Sequence, residues 1–175
     1  MLKPVLNLDD ISLEPWPYEF DPKSELANQF QARMGAVSGR VGARKLGYNI
    51  TAIPPGKAAF PLHSHRINEE MFFVLQGSGE VRVGSDTFPI RKGDFIACPP
   101  SGGGAAHQIR NTGTEELRFL AVSTQIFPEI NVYPDSGKFR VLAYFQSGAD
   151  DGWEVFSFQG RQGESLDYWD GEGKQ

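Results

Sequence analysis

The chain has 175 residues, of which 39% are hydrophobic and 12% aromatic, and it contains 20 glycines and 12 prolines. This length accommodates one domain with a substantial core, and the composition is typical of a folded protein rich in strands and turns. The formal net charge of −5 argues against nucleic acid and against an anionic membrane surface as partners.

The sequence also lacks the features of membrane insertion and export. No apolar run approaches the ~18 residues that a membrane-spanning helix requires. Residues 1–10 have no apolar core of signal-peptide length. The single cysteine, Cys98, excludes an internal disulfide, which suits a reducing compartment. We therefore expect a soluble, cytoplasmic protein.

Residues 1–34 are predicted to form an arm. Prolines interrupt regular structure there, yet its aromatic side chains are too apolar to remain in water, so the arm should pack along the main domain or onto a second subunit. Within the arm, residues 22–34 are predicted to form a short helix. Asp21 would cap its start, Pro22 suits its first turn, and Gly35 suits its exit.

From Gly35 onward, turn residues separate short apolar runs at close intervals. Such a pattern indicates an all-β antiparallel sandwich or barrel, which we assign to residues 35–146. The tail, residues 147–175, is polar and glycine-rich but contains aromatic residues, and we expect an ordered appendage with a frayed end. The predicted strands are 48–53, 71–76, 80–83, 87–90, 94–98, 107–111, 117–123 and 138–145.

Two of the chain's three histidines, His63 and His65, form a His-x-His pair just before a predicted strand. In an extended segment residues i and i+2 point to the same face, about 6–7 Å apart at their backbones, so both imidazoles can reach one ion. Glu70 heads the next strand and can add an oxygen ligand, and the third histidine, His107, begins another strand-like segment. These four residues predict one metal site.

A simpler interpretation exists for each residue alone. A histidine in a strand is more often a polar residue with satisfied hydrogen bonds than a ligand, and Glu69 and Glu70 could be a solvated charged pair. The metal interpretation is favoured because the chain has no histidine outside these two places. The ligand types also suit first-row divalent metals.

The residues around the histidine pair resemble the first conserved motif of the cupin superfamily. The match comprises Gly56, His63, His65, Glu70 and, after six more residues, Gly77. Gly56 stands one residue further from the first histidine than is usual in the family. The resemblance implies a double-stranded β-helix, or jelly-roll, barrel with the arm and its short helix attached, and it implies the same four metal ligands.

The segment that runs from Gly93 through Pro99 to His107 and Asn111 resembles the second conserved motif of the cupin superfamily. Fifteen residues separate Gly77 from Gly93, as in compact microbial cupins, although the turn before His107 is a few residues longer than usual. The segment 127–135 is more loosely similar to small single-domain bacterial cupins. Together the two motifs cover residues 47–124.

Each of two further residues near the predicted site has two possible roles. Asn111 would share a strand face with His107, and could either orient a ligand or bound water, or end the strand in a turn. Cys98 could be an extra thiolate ligand, but we favour a small buried hydrophobe. Glu70 shares its face of the strand with Phe72 and Val74. Because both faces of this strand are apolar, both should be buried.

Three histidines and one carboxylate leave two open positions on an octahedral ion, which favours Mn, Fe, Ni or Co over Zn without choosing among them. The resemblance implies either a metal-dependent enzyme acting on a small oxygenated metabolite, of dioxygenase, decarboxylase, isomerase or lyase type, or a non-catalytic small-molecule-binding or sensor cupin. A metal-free sugar-nucleotide epimerase would leave the ligand set unexplained. No catalytic residue is assigned. We also expect a homodimer, with the arm at its interface.

Overall fold

A computed structural model of the chain describes residues 3–15, 24–101, 104–147 and 152–173. About half of these residues lie in strands, and no helix among them is long and apolar enough to cross a membrane. Short 3-10 helices occupy Leu8–Asp10, Ser24–Asn28, Ser38–Val41 and Gln162–Glu164. The strands are β1 Glu14–Pro15, β2 Arg33–Ala36, β3 Leu46–Ile53, β4 Ser64–His65, β5 Glu70–Gln76, β6 Ser78–Val83, β7 Asp86–Arg91, β8 Phe95–Cys98, β9 His107–Arg110, β10 Leu117–Thr124, β11 Glu129–Tyr133, β12 Lys138–Ser147 and β13 Gly152–Arg161.

These strands form three antiparallel sheets, as expected for an all-β jelly-roll barrel. The first has the order β1-β2-β3-β10-β5-β8, the second β13-β12-β11-β4, and the third β7-β6-β9. Half of these strand pairs join strands that are not consecutive in sequence. Short strands therefore pair across the barrel, and residues from separate segments meet in its interior.

The core follows from the alternation of side chains along the strands. On β5, Phe72 and Val74 are buried whereas Met71, Phe73 and Leu75 are only partly buried, because successive side chains of a strand point to opposite faces. Phe119 on β10 meets Phe72 edge to face, with ring centroids 5.5 Å apart. The other core side chains are contributed by strands of the first and third sheets, including Ile53, Val81, Ile90, Ile96, Cys98, Ile109 and Leu117.

Gly77, which separates β5 from β6, shows why the cupin-like motif places a glycine there. Its φ is +79°, in the left-handed region that favours glycine. A Cβ at this position would lie 2.6 Å from the carbonyl oxygen of Glu116. Both the turn conformation and the close approach of the chain before β10 therefore require the absence of a side chain.

The helix predicted for residues 22–34 is shorter than expected. Among the described residues of this range, the helix comprises only the 3-10 helix Ser24–Asn28, and Arg33–Ala36 instead forms β2, which pairs with β3. Gly35 therefore lies within a strand and does not end a helix. A Cβ there would lie 2.3 Å from Ile11, so this glycine allows the N-terminal segment to cross the strand closely. The predicted cap, Asp21, and Pro22 lie outside the described residues.

The described part of the arm packs along the barrel, one of the two alternatives. β1 and β2 extend the first sheet, and Phe30 forms a parallel bridge with Ala58. At the other end, β12 pairs over its whole length with β13, so a long hairpin includes much of the tail. β2 crosses the predicted boundary after residue 34, and β12 crosses the one after residue 146. The division into arm, barrel and appendage stays a prediction.

Candidate metal site

Backbone pairing brings the four predicted ligands together. His65 ends β4, Glu70 begins β5 and His107 begins β9. His63, just before β4, forms an antiparallel bridge with His107. In this bridge the His63 N–H donates to the His107 carbonyl oxygen at 3.2 Å, and the His107 N–H donates to the His63 carbonyl oxygen at 2.8 Å.

The four side chains converge on one point. Glu70 Oε2 lies 3.0 Å from His107 Nε2, 3.1 Å from His65 Nε2 and 3.9 Å from His63 Nε2. One ligand atom from each residue lies within 4.8 Å of the others. Two atoms bound to one ion at about 2.1 Å each can be at most about 4.2 Å apart, so side-chain shifts of about half an ångström would allow all four to bind.

The polar atoms of the cluster also fit a metal ion. His65 Nε2 is buried. Although it lies only 3.1 Å from Glu70 Oε2, the two atoms are not aligned for a hydrogen bond. Buried polar atoms without partners are uncommon in folded proteins, and each costs free energy. A cation held between the imidazoles and the carboxylate would supply the partner that this nitrogen lacks.

The protonation states of His63 and Glu70 suit metal binding. Burial lowers the pKa of His63 to about 4, and His107 and His65 add to this effect, so the imidazole is neutral near pH 7. Burial alone would raise the pKa of Glu70, but its contacts with His107 and His65 outweigh burial and hold the pKa well below its usual range. Burial lowers the pKa of His65 as well, whereas the Glu70 and Glu129 carboxylates raise it by more.

Glu129 is a residue near the site that the sequence analysis missed. Its buried carboxylate lies 3.4 Å from His65 Nδ1 and accepts hydrogen bonds from the main-chain N–H groups of Arg66, Ile67 and Asn68. The side chain of Asn68 donates to the same carboxylate. Glu129 therefore holds the segment between β4 and β5 and contacts the outer nitrogen of one predicted ligand.

Two neighbours of Glu129 on β11 also face the site. Asn131 pairs with His65 across the strands, and its Nδ2 lies 3.0 Å from His65 Nδ1. Tyr133 stacks on His63 with ring centroids 6.1 Å apart, and burial raises the pKa of its phenol. The signal available in the sequence was the alternation of Glu129, Asn131 and Tyr133 with apolar residues, since this spacing places all three on one strand face.

Asn111 makes its hydrogen bonds away from the four-residue cluster. It is fully buried, its side-chain amide donates to the carbonyl oxygens of Ile53 and Glu115, and its Oδ1 accepts from the Gly113 N–H. These contacts favour the second of the two alternatives, in which Asn111 ends the strand in a turn.

Cys98 and Glu69 occupy the environments expected for them. Cys98 is buried in the core, where burial and the nearby charge of Glu70 raise the pKa of its thiol to about 12. It is therefore a small buried hydrophobe at neutral pH. Glu69 is exposed, and its N–H donates to Thr124 Oγ1.

The cluster lies in a cavity of about 670 Å³ between the sheets. Such a volume is within the range of small-molecule sites. Its polar and charged lining residues, besides the four predicted ligands, include Arg33, Thr51, Gln108, Asn131, Tyr133, Lys138, Arg140 and Gln159, and apolar side chains such as Phe60, Phe72 and Phe119 complete it.

Comparisons with known proteins agree with this architecture. Residues 49–123 match the family described as Cupin domain. The chain is 36% identical over 70 residues to an oxalate-binding protein of Thermotoga maritima, covering 40% of this chain and 54% of that protein. It spans about half the length of the first curated relatives that it matches.

Two solved structures match a larger share of this chain than these sequence relatives do. A cupin-superfamily protein of Silicibacter pomeroyi, named a sugar phosphate isomerase, superposes with a TM-score of 0.71 at 21% identity, over 95% of this chain and 98% of that one. A protein of Acidithiobacillus ferrooxidans, provisionally named a sugar phosphate isomerase, superposes with a TM-score of 0.69 at 25% identity, over 88% of this chain and 92% of that one. The chain thus belongs to the cupin superfamily, and its His/Glu cluster could bind a metal ion.

Proposed function

We propose that this cupin is a metal-dependent enzyme that acts on a small oxygenated metabolite, with the ion held by His63, His65, Glu70 and His107. The observation that carries the proposal is the convergence of three imidazole nitrogens on one carboxylate oxygen inside a cavity large enough for a substrate. The ligand set favours Mn, Fe, Ni or Co, with Zn as a further candidate.

When bound, such an ion would polarise a substrate oxygen or lower the pKa of a bound water. The chain's own residues would hold and orient the reactants. His63 is kept neutral by burial and so keeps a lone pair for the ion. Phe72 packs against the His107 ring and Phe119 packs against Phe72, with ring centroids 5.5 Å apart in both pairs. The names of the two similar isomerase structures are compatible with chemistry on a hydroxyl or carbonyl group.

A non-catalytic binding role is the second candidate. It is supported by the resemblance of 70 residues to a protein named oxalate-binding. A binding protein needs only a stable complex, whereas an enzyme must also stabilise a transition state. Turnover by the metal-loaded protein therefore separates the two roles.

Metal analysis tests the proposal. Protein isolated without chelator or affinity tag should contain about one divalent ion per chain, and a His63→Ala/His107→Ala variant should contain far less. A metal content near zero after reconstitution with Mn, Fe, Ni, Co and Zn in turn would refute the metal site. Screening the loaded protein against small carboxylates, diols and sugar phosphates then tests for turnover.

A further inference from the structure

A row of polar side chains leads away from the predicted metal ligands across the second sheet. His65 on β4 pairs with Asn131 on β11, Asn131 pairs with Arg140 on β12, and Arg140 pairs with Gln159 on β13. Directly opposed residues of neighbouring strands project from the same face of a sheet. All four line the same cavity, so the row extends from the cluster along one wall of the cavity.

A second cation stands beside this row. Lys138 shares a strand face with Arg140, two residues away on β12, and also lines the cavity. Its Nζ lies 5.0 Å from the centroid of the Tyr133 ring, and the same ring stacks on His63. Tyr133 is thus a neighbour of both the ammonium group and the His63 ring.

The charge of the cavity contrasts with that of the protein. Although the chain carries a net charge of −5, the described residues that line the cavity include three permanent cations and one carboxylate, Glu70. Arg33 is paired with Glu116, outside the lining, at 2.6 Å. Lys138 and Arg140 place two cationic side chains on the wall formed by β12, where Arg140 Nε also donates to Ser157 Oγ at 3.2 Å. Positive side chains in a cavity with apolar walls favour an anionic ligand.

The geometry also constrains ligand length. Neighbouring strands are about 4.8 Å apart, so the backbones of His65 and Arg140, two strands apart, are separated by about 10 Å. A chain of three to six carbons with an anionic group at its far end would span this distance.

We propose that the cavity binds a polyhydroxylated substrate whose terminal phosphate or carboxylate is held by Lys138 and Arg140, while its other end lies at the four-residue cluster. This inference rests on the proposed function, because it names the substrate class of the same site. Gln159 can donate a further hydrogen bond to the anionic group from the adjacent strand. The shared chemistry is a terminal oxyanion, and arginine and lysine both suit phosphate and carboxylate.

Calorimetric titration of the full-length, metal-loaded protein with two matched sets of probes tests the inference. One set is glucose 6-phosphate, glucuronate and glucose, and the other is glycerol 3-phosphate, glycerate and glycerol. In at least one set the phosphate or the carboxylate should bind about tenfold or more tightly than the neutral compound, a difference of about 1.4 kcal/mol. Comparison of the two anions identifies which group is preferred.

A Lys138→Gln/Arg140→Gln variant should lose this preference, whereas Lys92→Gln, at an exposed turn outside the cavity, should keep it. Equal binding of anionic and neutral probes, a preference that persists in the double variant, or no binding by any anionic probe would overturn the inference. Metal content is measured on the same samples. A normal metal content without anion preference refutes only this inference, and anion preference without metal refutes only the proposed function.

Discussion

Glu69 and Glu70 are adjacent but occupy different environments. Glu70 points among the three histidines, whereas Glu69 is exposed and its backbone N–H donates to Thr124 Oγ1. This difference follows from the alternation of strand faces. Phe72 and Val74 continue the strand face of Glu70 into the core, which places Glu70, and not Glu69, on the inner face.

Substitution of the two glutamates tests their separate roles. Glu70→Gln replaces a charged oxygen donor by a neutral one and should lower metal affinity at least about tenfold, or about 1.4 kcal/mol. Glu69→Gln is the matched control and should change it little, since exposed charges contribute about 0–1 kcal/mol. Competition with a chelator measures both affinities. A larger effect from Glu69→Gln would contradict the assignment of the strand face.

Asn111 should matter for stability and not for the metal. Asn111→Ala leaves the carbonyl oxygens of Ile53 and Glu115 without its amide donor, which should cost about 1–3 kcal/mol of unfolding free energy. Thr112→Ala, exposed in the same turn, should change stability by about 0.5 kcal/mol or less. Denaturant unfolding measures the stability of each variant, and competition with a chelator measures its metal affinity. A fall in affinity without a fall in stability would instead favour a role in ligand or water orientation.

The connection between β4 and β5 shows how an element can position a site. Glu129 on β11 holds three successive main-chain N–H groups of this connection, and the same carboxylate contacts His65. Partners on the outer nitrogen of a ligating histidine fix the orientation of its ring. The segment of four residues between the two ligand-bearing strands is therefore fixed from outside the cupin-like motifs.

Glu129→Gln should lower metal affinity about tenfold, the lower end of the usual effect of such partners. It keeps the side-chain shape but removes the charge and one acceptor oxygen. Glu154→Gln, an exposed carboxylate on β13, serves as the control. Metal affinity and the melting temperature of the metal-free protein are measured together. A lower melting temperature with unchanged affinity would mean that Glu129 supports only the loop.

The elements that could be predicted from the sequence are those with a local signal. The eight predicted strands all correspond to observed strands, because alternating apolar residues and turn residues mark them. β4 and β11 gave too little signal, since one has two residues and the other mixes buried polar with exposed apolar side chains. The extent of the arm helix was wrong because pairing of β2 with β3 overrode its local helical pattern.

At the scale of the whole molecule, the cavity depends on contacts between distant segments. Leu26 and Phe30 of the arm line it together with residues of β12 and β13. The sequence patterns gave the four predicted ligands but not the cations, because only the pairing of β4, β11, β12 and β13 places Lys138 and Arg140 beside the cluster. Such long-range pairing has no signature within a short stretch of sequence.

The expected homodimer is tested at the same scale. Light scattering at micromolar concentration should give twice the mass of the chain. A variant without residues 1–31, which leaves β2 intact, should shift towards the monomer because the arm is predicted at the interface. Deletion of residues 166–175, whose Tyr168 and Trp169 are exposed, should leave the dimer unchanged. A monomeric full-length protein would contradict the prediction.

The backbone bridge between His63 and His107 fixes the main-chain positions of two of the four predicted ligands before an ion binds. Each residue donates its N–H to the other's carbonyl oxygen, so the sheet fixes their separation during folding. The entropy of bringing these two ligands together is therefore lost on folding and not on ion binding. Amide hydrogens at both positions should exchange with deuterium slowly and at similar rates in the metal-free and metal-loaded protein, with the response to the ion confined to the side chains.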